Sequence, residues 1–344
     1  MTLDKKLKEK KILLLGGAGF IGFNLASYIS NNSNYHITIA DNLSRGRMDQ
    51  YLSTLIEDND IKFIEADFTD PKSFLLLEDD YDQCYMLASV VGVENTLSKP
   101  HEVIRINTSL ILNTLEWLKN SNITKVVFTS TSENYAGTID TFGYKIPTPE
   151  DIPLSIADIS HPRYTYAVTK ILGESGFLNY AKVFDFECTV VRYHNVIGPR
   201  MGFKHVIPHL AERFIKGEEP FLMYGHDQTR SFCYVSDAVE ATFLAMESTN
   251  TDGEIYHIGT EQEITIEQLI KAAGKFFKYS GKYESAKTYP GSTGRRCPDI
   301  TKASEHFSYK PKISWQKGLE KTLEWYEDFF LKKGNTIESS FKKP

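Results

Sequence analysis

The chain has 344 residues, of which 41% are hydrophobic and 24% charged, and its 39 basic and 45 acidic side chains give a net charge of −6. A chain of this length buries about three quarters of its unfolded surface and is expected to form about two domains. A sequence-independent grip on nucleic acid or on an anionic membrane requires a net basic surface, so the composition predicts neither partner.

The cysteines lie far apart in the sequence and form no C-x-x-C pair, which predicts reduced, mostly buried thiols at Cys84, Cys188, Cys233 and Cys297. His205 and His209 lack a carboxylate partner, so no metal is expected. The apolar run 12–15 stops at Gly16, which is too short for a signal peptide or a membrane span. The expected location is therefore the cytoplasm.

Short apolar runs alternate with longer amphipathic stretches through the first 190 or so residues, which is the pattern of βαβ units. Strands are predicted at 11–15, 36–40, 61–65, 81–87, 124–129 and 186–191, and helices at 20–31, 102–119 and 165–183. Parallel strands buried on both faces follow from such runs. The predicted fold is α/β, with a Rossmann-type doubly wound parallel sheet over residues 1–192.

The regular alternation of strands and helices ends after about residue 192, where proline and glycine interrupt short elements. We expect residues 193–344 to form a smaller mixed α/β lobe that mainly binds substrate, with some segments returning to the first domain. Within this lobe the sequence predicts helices at 206–216, 265–277 and 316–333 and a strand at 255–258.

Three glycines follow the first predicted strand and open the first predicted helix, which continues with Phe20 and Ile21. Gly16 permits a tight turn, Gly19 lets the backbone approach a pyrophosphate, and Gly22 lets helix and strand pack closely. The phosphates would lie at the helix N-terminus, where backbone N–H groups favour anions. Because a strand and a helix flank the glycines, the pattern predicts a dinucleotide site rather than an ordinary turn.

Asp41 ends the second predicted strand, where a carboxylate can accept hydrogen bonds from ribose hydroxyls. A carboxylate repels a 2′-phosphate, so Asp41 favours NAD over NADP, although Arg45 and Arg47 nearby would attract one. Asp67, followed by Phe68 after the third predicted strand, is a candidate contact to the adenine amino group with the ring beside it. The alternative for Asp67 is a cap at the end of its strand.

Tyr166 and Lys170 lie four residues apart on a predicted helix, so their side chains share one face. An ammonium beside a phenol lowers the pKa of the phenol and makes it a base for a sugar hydroxyl proton. Such a pair alone is usually an ordinary surface pair. It gains weight because the run Ser130-Thr131-Ser132-Glu133 ends the fifth predicted strand, at the edge where doubly wound sheets bind ligands.

The motifs together resemble the extended short-chain dehydrogenase/reductase family over nearly the whole chain. They are Gly16-x-x-Gly19-x-x-Gly22, Asp41-Asn42-Leu43-Ser44, Leu87-Ala88-Ser89, Ser130-Thr131-Ser132-Glu133-Asn134-Tyr135, Tyr166-x-x-x-Lys170 and Arg192-Tyr193-His194-Asn195-Val196-x-Gly198-Pro199. Within that family the set is similar to nucleotide-sugar epimerases, dehydratases and decarboxylases.

The resemblance implies a retained NAD that oxidises the sugar at C4. Tyr166 would be the base, Lys170 would hold Tyr166 and the nicotinamide ribose, and Thr131 would bind the reacting 4-hydroxyl. Further cofactor contacts implied by the resemblance are Asn42, Ser44, Leu87, Ala88, Ser89 and Tyr193, with a structural Asn at Asn107. The 4-keto sugar then allows elimination, decarboxylation or return of the hydrogen to the other face.

The choice among these outcomes depends on Ser132 and Glu133, since plain 4-epimerases of the family usually have small or apolar residues there. The run S-T-S-E is similar to GDP-mannose dehydratases and UDP-glucuronate decarboxylases. Three further motifs are similar to the decarboxylases: Pro162-Arg163-x-x-Tyr166, Gln228-Thr229-Arg230-Ser231-Phe232 and Arg295-Arg296-x-Pro298-Asp299-Ile300.

Three features depart from the decarboxylase pattern. The segment between Tyr135 and Tyr166 is long, no acidic residue lies between Tyr166 and Lys170, and His194 stands where an apolar or aromatic residue is common. We therefore favour chemistry at C5, either decarboxylation or 4,6-dehydration, and keep net C4 epimerisation as the alternative. A Glu133 that only caps a turn in solvent also stays open, as does a non-catalytic NAD-binding sensor.

The resemblance implies a nucleotide-sugar substrate. Arg230 and Arg296 suit its diphosphate, since each guanidinium can bind it with two hydrogen bonds, although each arginine alone would more often be a surface salt-bridge partner. Asn195 could reach a diphosphate or a sugar hydroxyl, and Tyr224 resembles part of the nucleobase-binding turn of the family.

The resemblance also implies a homodimer, since members of the family pair the helices that correspond to 102–119 and 165–183 as a four-helix bundle. Its candidate apolar contacts are Ile111, Leu115, Leu172, Phe177 and Leu178, which could equally face the sheet.

Overall fold

The computed structural model describes residues 9–203, 205–288 and 293–332. Its first half contains β1 (Lys11–Leu15), α1 (Phe20–Asn32), β2 (His36–Asp41), α2 (Gln50–Asp58), β3 (Lys62–Glu65), β4 (Gln83–Met86), α3 (Val93–Ser98), α4 (Pro100–Leu118), β5 (Lys125–Thr131), α5 (Ala136–Phe142), α6 (Thr165–Phe184) and β6 (Glu187–Tyr193). The ends of the two predicted domains, 1–8 and 333–344, lie outside the described residues.

The second half begins with β7 (Val196–Ile197), α7 (Val206–Ile215), β8 (Phe221–Tyr224), β9 (Thr229–Ser231), β10 (Cys233–Tyr234) and α8 (Val235–Glu247). It continues with β11 (Ile255–Ile258), β12 (Glu263–Thr265), α9 (Ile266–Phe276), β13 (Tyr283–Ala286), β14 (Arg295–Arg296), α10 (Thr301–Phe307) and α11 (Trp315–Lys332). No helix within the described ranges is both long enough and apolar enough to cross a membrane.

The main sheet has seven strands in the order β11-β6-β5-β4-β1-β2-β3, and every neighbouring pair is parallel. The chain runs outward from β1 to β3 and then crosses back to β4 on the other side of β1. Ligands bind doubly wound sheets at such a reversal of strand order. The Rossmann-type α/β prediction is confirmed, and the reversal lies beside the glycine-rich turn after β1.

The strand predicted at 255–258 is present, but it lies in the main sheet. Some segments of 193–344 were expected to return to the first domain, and the sequence had not singled out this one. Ile255 pairs with Val190 and Ile258 with Tyr193, so β11 is the seventh strand of the main sheet. A short apolar run specifies a strand through its local pattern, whereas its neighbour in the sheet is set by contacts far away in the sequence.

Helices cover both faces of the sheet, as expected for parallel strands. On β5, Val127 contributes to the core that contains α1 and α8, while Phe128 contributes to the core that contains α4 and α6. A third core is formed by residues from the second half of the chain, around Phe221, Leu269 and Tyr326. All four cysteines are free and buried, as predicted.

Several of the residues proposed for a dimer contact lie on the faces of the long helices α4 and α6 that cover the sheet. Ile111, Leu115 and Phe177 are buried within the chain, and Leu178 packs against the same core. Leu172 is exposed. The alternative in which these residues face the sheet is therefore correct for most of them, because the apolar face of each helix covers the sheet first.

Candidate active site

The turn after β1 has the geometry that its glycines predicted. Gly16 has φ +83°, and a Cβ there would lie 2.5 Å from the backbone nitrogen of Ala88. A Cβ on Gly22 would lie 2.5 Å from Gly17 Cα, so neither position accepts a side chain. Gly19 caps α1 without a side-chain hydrogen bond, and the first turn of α1 contains no acidic residue. The positive end of α1 is therefore free to bind a pyrophosphate.

Asp41 ends β2 beside this turn. Its Oδ2 accepts a hydrogen bond from the Ala18 N–H at 3.1 Å, and its Oδ1 accepts one from the Leu43 N–H at 2.8 Å. Burial raises the pKa of Asp41, although these two bonds and the charge of Arg45 oppose the rise. The carboxylate lies within one hydrogen bond of the glycine-rich turn, a position that suits contact with a nucleotide ribose.

Residues 67 and 68 have ordinary structural contacts. Asp67 is exposed, and its Oδ1 accepts a hydrogen bond from the Thr69 N–H at 3.0 Å. The Phe68 ring is buried and lies edge-on to Phe74, with 4.9 Å between ring centroids. The capping interpretation of Asp67 accounts for these contacts. In the turn after β2, Asn42 Oδ1 accepts a hydrogen bond from Ser44 N–H.

Asn107 on α4 fixes the turn that follows β4. Its Oδ1 accepts a hydrogen bond from the Val90 N–H at 2.7 Å, and its Nδ2 donates to the Val90 carbonyl at 3.1 Å and to Thr169 Oγ1 at 3.2 Å. This buried amide holds the segment Leu87-Ala88-Ser89 next to the glycine-rich turn. The Ser89 hydroxyl is buried and has no hydrogen-bond partner among the described residues, so it is available to a ligand.

Lys170 is buried on α6 one turn after Tyr166. Its Nζ donates to the Thr129 carbonyl at 2.7 Å and lies 5.9 Å from the centroid of the Tyr166 ring. Burial lowers the pKa of Lys170 to about 7, against the opposing charge of Glu174. The predicted pairing on one helix face is present, but the amine is directed at the end of β5.

The pKa of Tyr166 is raised, not lowered. Burial and the negative charge of Glu133 raise it, and the charge of Arg45 and a hydrogen bond with Thr131 only partly oppose them. The predicted lowering by Lys170 is therefore wrong for the chain by itself. Helical spacing specified the shared face, but not the burial of the phenol or the carbonyl that binds the amine.

Glu133 forms an ion pair with Arg296 at the end of β5. Arg296 Nη1 donates to Glu133 Oε1 at 2.6 Å and lies 3.5 Å from Ser132 Oγ. Burial tends to raise the pKa of Glu133, but the charges of Arg296, Arg163 and Arg230 outweigh it, so the pKa lies below its ordinary value. Glu133 is thus a paired carboxylate, and the interpretation as a solvent-facing cap is wrong.

The two predicted substrate arginines lie side by side, because Arg230 on β9 is in register with Arg296 on β14. Arg230 donates to the carbonyls of Thr229 and Thr293, both at 2.7 Å. Burial and the charge of Arg296 lower the pKa of Arg230 to about 9. Arg163 was quoted from the sequence only within the motif Pro162-Arg163-x-x-Tyr166 and was given no role. That motif was the available signal for its charge near Glu133.

Three further predicted site residues, Asn195, Tyr224 and Tyr193, have contacts of their own outside the arginine cluster. Asn195 has φ +37° and donates to the Ser231 carbonyl at 3.2 Å, which ties the end of β6 to β9. Tyr224 ends β8, with the Arg213 guanidinium 5.6 Å from its ring centroid. The Tyr193 hydroxyl is hydrogen-bonded to Thr242 on α8 at 2.6 Å, which directs it away from Tyr166 and Lys170.

His194 and its neighbours form a buried polar group behind the site. His194 Nε2 lies 3.0 Å from the Tyr135 hydroxyl, and its ring contacts His257. Burial and the charge of His257 lower the pKa of His194. No three His, Cys, Asp or Glu side chains converge as a metal site would require within the part of the chain that the structure describes.

A glycine-rich turn at the reversal of strand order, a strand-end aspartate and a Tyr-Lys helix next to β5 define a dinucleotide-dependent enzyme of the short-chain dehydrogenase/reductase class. The chain belongs to the NAD dependent epimerase/dehydratase family, whose sequence profile matches residues 12–259. The residues of the turn, Asp41 and Ser89 fit NAD, which is the cofactor of this family.

Two curated relatives are decarboxylases. The chain is 35% identical to the UDP-N-acetyl-alpha-D-glucosaminuronate decarboxylase of Bacillus cytotoxicus, over 93% of this chain and 98% of that protein. It is 32% identical to UDP-glucuronic acid decarboxylase 5 of Arabidopsis thaliana, over 94% of this chain and 90% of that protein.

A solved structure with a similar fold is a UDP-glucuronic acid 4-epimerase from Bacillus cereus in complex with UDP-glucuronic acid and NAD. Its TM-score is 0.79 at 27% identity, over 93% of this chain and 99% of that one. The protein is therefore an NAD-dependent enzyme that modifies nucleotide sugars.

Proposed function

We propose that the protein removes the C5 carboxylate of a nucleoside-diphosphate-linked hexuronate after transient oxidation at C4. The observation that carries this proposal is the Glu133–Arg296 ion pair beside Ser132, at the end of the strand that also presents Thr131 to Tyr166. The likeness to two nucleotide-sugar uronate decarboxylases over most of both chains supports it.

Oxidation at C4 uses the residues at the junction of β5 and α6. The glycine-rich turn, Asp41 and Ser89 would hold NAD, which would supply an acceptor for the hydrogen of C4 with its electron pair and allow that hydride to be returned later. Tyr166 takes the proton of the 4-hydroxyl, and Thr131, which hydrogen-bonds Tyr166, orients that hydroxyl. Lys170 donates a hydrogen bond to the Thr129 carbonyl and so fixes the position of α6 relative to the end of β5.

The resulting 4-keto sugar is a β-keto acid. The bond between C5 and the carboxylate carbon breaks, carbon dioxide leaves, and the electron pair passes to the 4-carbonyl oxygen as an enolate. C5 then takes a proton from water, which regenerates the 4-carbonyl. Return of the hydride to C4, with the proton held by Tyr166 going to the 4-oxygen, restores the hydroxyl. A net positive site favours the enolate oxygen that develops as carbon dioxide leaves.

Arg296 is suited to hold the substrate carboxylate before this step. One of its terminal nitrogens donates to Glu133 and the other to Thr293, while its buried Nε has no partner among the described residues. The ionised Glu133 nearby repels the carboxylate but not neutral carbon dioxide. The repulsion therefore favours departure of the carboxylate group from C5 as neutral carbon dioxide.

Domain roles follow the same division as the sequence. We propose that residues 1–192 hold NAD and that residues 193–344 supply most of the nucleotide-sugar contacts, through Asn195, Arg230 and Arg296. Three arginines around one carboxylate give the site a net positive charge. A substrate with a diphosphate and a carboxylate complements that charge.

The test is incubation of the purified enzyme with UDP-, GDP-, CDP- and deoxythymidine diphosphate-linked hexoses and hexuronates in deuterated water, followed by product mass spectrometry. The proposal expects loss of carbon dioxide from a hexuronate and one deuterium at C5. Loss of water instead would identify a 4,6-dehydratase and overturn the proposal.

Net 4-epimerisation is the second candidate, because a UDP-glucuronic acid 4-epimerase shares the fold over most of both chains. It predicts an unchanged mass with inverted configuration at C4. A non-catalytic NAD-binding sensor predicts equal, zero turnover for the wild type and Tyr166→Phe, whereas both catalytic candidates predict loss of turnover only in the variant.

We also propose that two copies pair through the outer faces of α4 and α6. Ile104 and Leu112 lie eight residues apart on α4 and are 46% and 47% exposed, and Leu172 on α6 is 40% exposed. Val168, one turn before Leu172, is also exposed. Apolar stripes on two neighbouring helices suit a two-fold, four-helix contact.

A further inference from the structure

Glu174 is a buried carboxylate on α6, two helical turns after Tyr166 and one after Lys170. Its Oε1 accepts hydrogen bonds from Ser130 Oγ at 2.5 Å and from Asn134 Nδ2 at 2.8 Å. These two residues flank the segment 131–133. One carboxylate on the helix of Tyr166 therefore holds both ends of the segment that presents Thr131, Ser132 and Glu133.

The same carboxylate is fixed from its other side by Arg192 on β6. Arg192 Nε donates to Glu174 Oε1 at 2.8 Å and Nη2 donates to Oε2 at 2.7 Å, with both side chains buried. Ser130 is opposite Arg192 in the β5–β6 ladder. A buried, doubly hydrogen-bonded pair of this kind has little freedom to move, so the position of Glu174 is set by the sheet.

Close approach of α6 to β5 makes these contacts reachable. A Cβ on Gly173 would lie 2.2 Å from the Phe128 ring, so the helix sits on that ring without a side chain between them. Lys170 reaches the Thr129 carbonyl from the same face of the helix. Lys170 and Glu174 together bind the end of β5 at Thr129 and Ser130, and Glu174 also binds the turn after β5 at Asn134.

We infer that Glu174 is a positioning residue: its carboxylate, anchored by Arg192, sets the distance between the Tyr166 phenol and the Thr131–Glu133 segment. Among the described residues, the hydrogen bonds of Glu174 go to Ser130, Asn134 and Arg192 and not to Tyr166, so Glu174 acts through Ser130 and Asn134. The inference rests on the proposed oxidation at C4 by Tyr166 and Thr131, and it does not depend on what then happens at C5.

The test is Glu174→Gln in the full-length protein. We expect the first-turnover rate of C4 oxidation, read as absorbance at 340 nm, to fall about 100-fold, because a shift of about 1 Å at reacting groups has an effect of that size. The KM for the nucleotide sugar should stay within about threefold, since Arg230 and Arg296 are not touched. A crystal structure of the variant should show residues 130–134 displaced relative to α6.

The matched control is Lys125→Met, a buried charge at the other end of β5, where Nζ donates to the Ser248 carbonyl at 2.5 Å and to Thr251 Oγ1 at 2.9 Å. It should lose stability without slowing C4 oxidation. Loss of rate in both variants would mean that general destabilisation is responsible, and the inference would be wrong.

Ser130→Ala provides a milder variant if Glu174→Gln does not fold. It removes one of the two anchors and should slow C4 oxidation, and a wild-type rate in Ser130→Ala would then overturn the inference. Where Glu174→Gln does fold, the double variant should be no slower than Glu174→Gln alone, because both changes act through one contact. Multiplying effects, or a wild-type rate in Glu174→Gln, would overturn the inference.

Failure of the proposed function is separable from failure of this inference. A wild type that oxidises C4 but releases no carbon dioxide refutes decarboxylation and leaves the oxidation rate to test Glu174. If no sugar nucleotide is oxidised, the position of residues 130–134 in the variant crystal decides, and an undisplaced segment counts against the inference.

Discussion

Among single residues, Glu133 is the one that distinguishes chemistry at C5 from simple oxidation and reduction at C4. We expect Glu133→Gln to keep C4 oxidation while product formation slows about 100-fold, because the variant loses the negative charge that disfavours the bound carboxylate relative to neutral carbon dioxide, and one preorganised electrostatic contribution has an effect of that size. Stopped-flow absorbance at 340 nm measures the first step and product mass the second. The control is Glu263→Gln, which removes the carboxylate partner of the neighbouring Arg295 at 2.7 Å. Full turnover by Glu133→Gln would show that Glu133 takes no part at C5.

The charge of Glu133 also sets the pH dependence of Tyr166. Since burial and Glu133 raise the pKa of Tyr166, the proton-accepting phenolate is scarce at neutral pH, and C4 oxidation should accelerate as the pH rises above 7. Removing the Glu133 charge lowers the Tyr166 pKa, so the rise should move to lower pH in Glu133→Gln. The measurement is the rate of C4 oxidation as a function of pH for the wild type and Glu133→Gln. A profile of the variant that coincides with that of the wild type, or lies at higher pH, contradicts this explanation.

His257 makes the fold sensitive to acid. It is fully buried, with Nδ1 3.0 Å from the Thr148 carbonyl, and burial and the charge of Arg192 lower its pKa to about 3. The unfolded chain binds this proton near pH 6.5 and the folded chain does not, so stability falls as the pH drops from about 6.5 towards 3. We expect about 2 kcal/mol to be lost between pH 7 and 5 from this group.

The measurement is the free energy of unfolding in urea at pH 7 and pH 5 for the wild type and His257→Asn. The variant keeps a donor for Thr148 and should lose about 2 kcal/mol less over this interval. Replacement of the half-exposed His226 is the control. Parallel pH dependence in wild type and His257→Asn would assign the acid sensitivity to other groups.

At the scale of elements, the β1–α1 turn depends on the missing side chain of Gly16. Gly16→Ala combines an unfavourable positive φ with a clash against the Ala88 backbone, so β1 and the turn after β4 must separate. We expect at least the 1–3 kcal/mol typical of backbone strain, together with loss of bound NAD. Gly217→Ala is the matched control, because Gly217 has φ +68° but nothing within 4 Å of its Cβ position. Equal NAD content in both variants would contradict the role of this turn.

Elements were predictable from the sequence where their signal is local. The strand runs, the glycines around α1 and the spacing of Tyr166 and Lys170 depend on neighbours within a few residues, and each is present. The neighbour of β11, the ion pair of Glu133 with Arg296 and the carbonyl partner of Lys170 depend on contacts between distant segments. Burial of Tyr166 is likewise a property of the assembled fold, which is why the direction of its pKa shift could not be predicted.

At the scale of the whole molecule, the outer faces of α4 and α6 define the expected assembly. Leu112→Glu and Leu172→Glu should each convert a dimer to a monomer, because a charge on a two-fold apolar contact meets its own copy. Light scattering after size exclusion gives the mass of each variant. Leu75→Glu, at a leucine that is 85% exposed elsewhere on the surface, is the control. A wild type that is already monomeric, or variants that stay dimeric, would refute this contact.

Strand β11 gives the chain a particular order of assembly during synthesis. Until Ile258 has left the ribosome, the apolar strand β6 has an open hydrogen-bonding edge, and everything from β7 to α8 emerges before that edge is covered. An uncovered apolar edge is a template for pairing with another chain. Translation products that stop before Ile255 should therefore aggregate, because the edge of β6 is covered only once β11 has been synthesised.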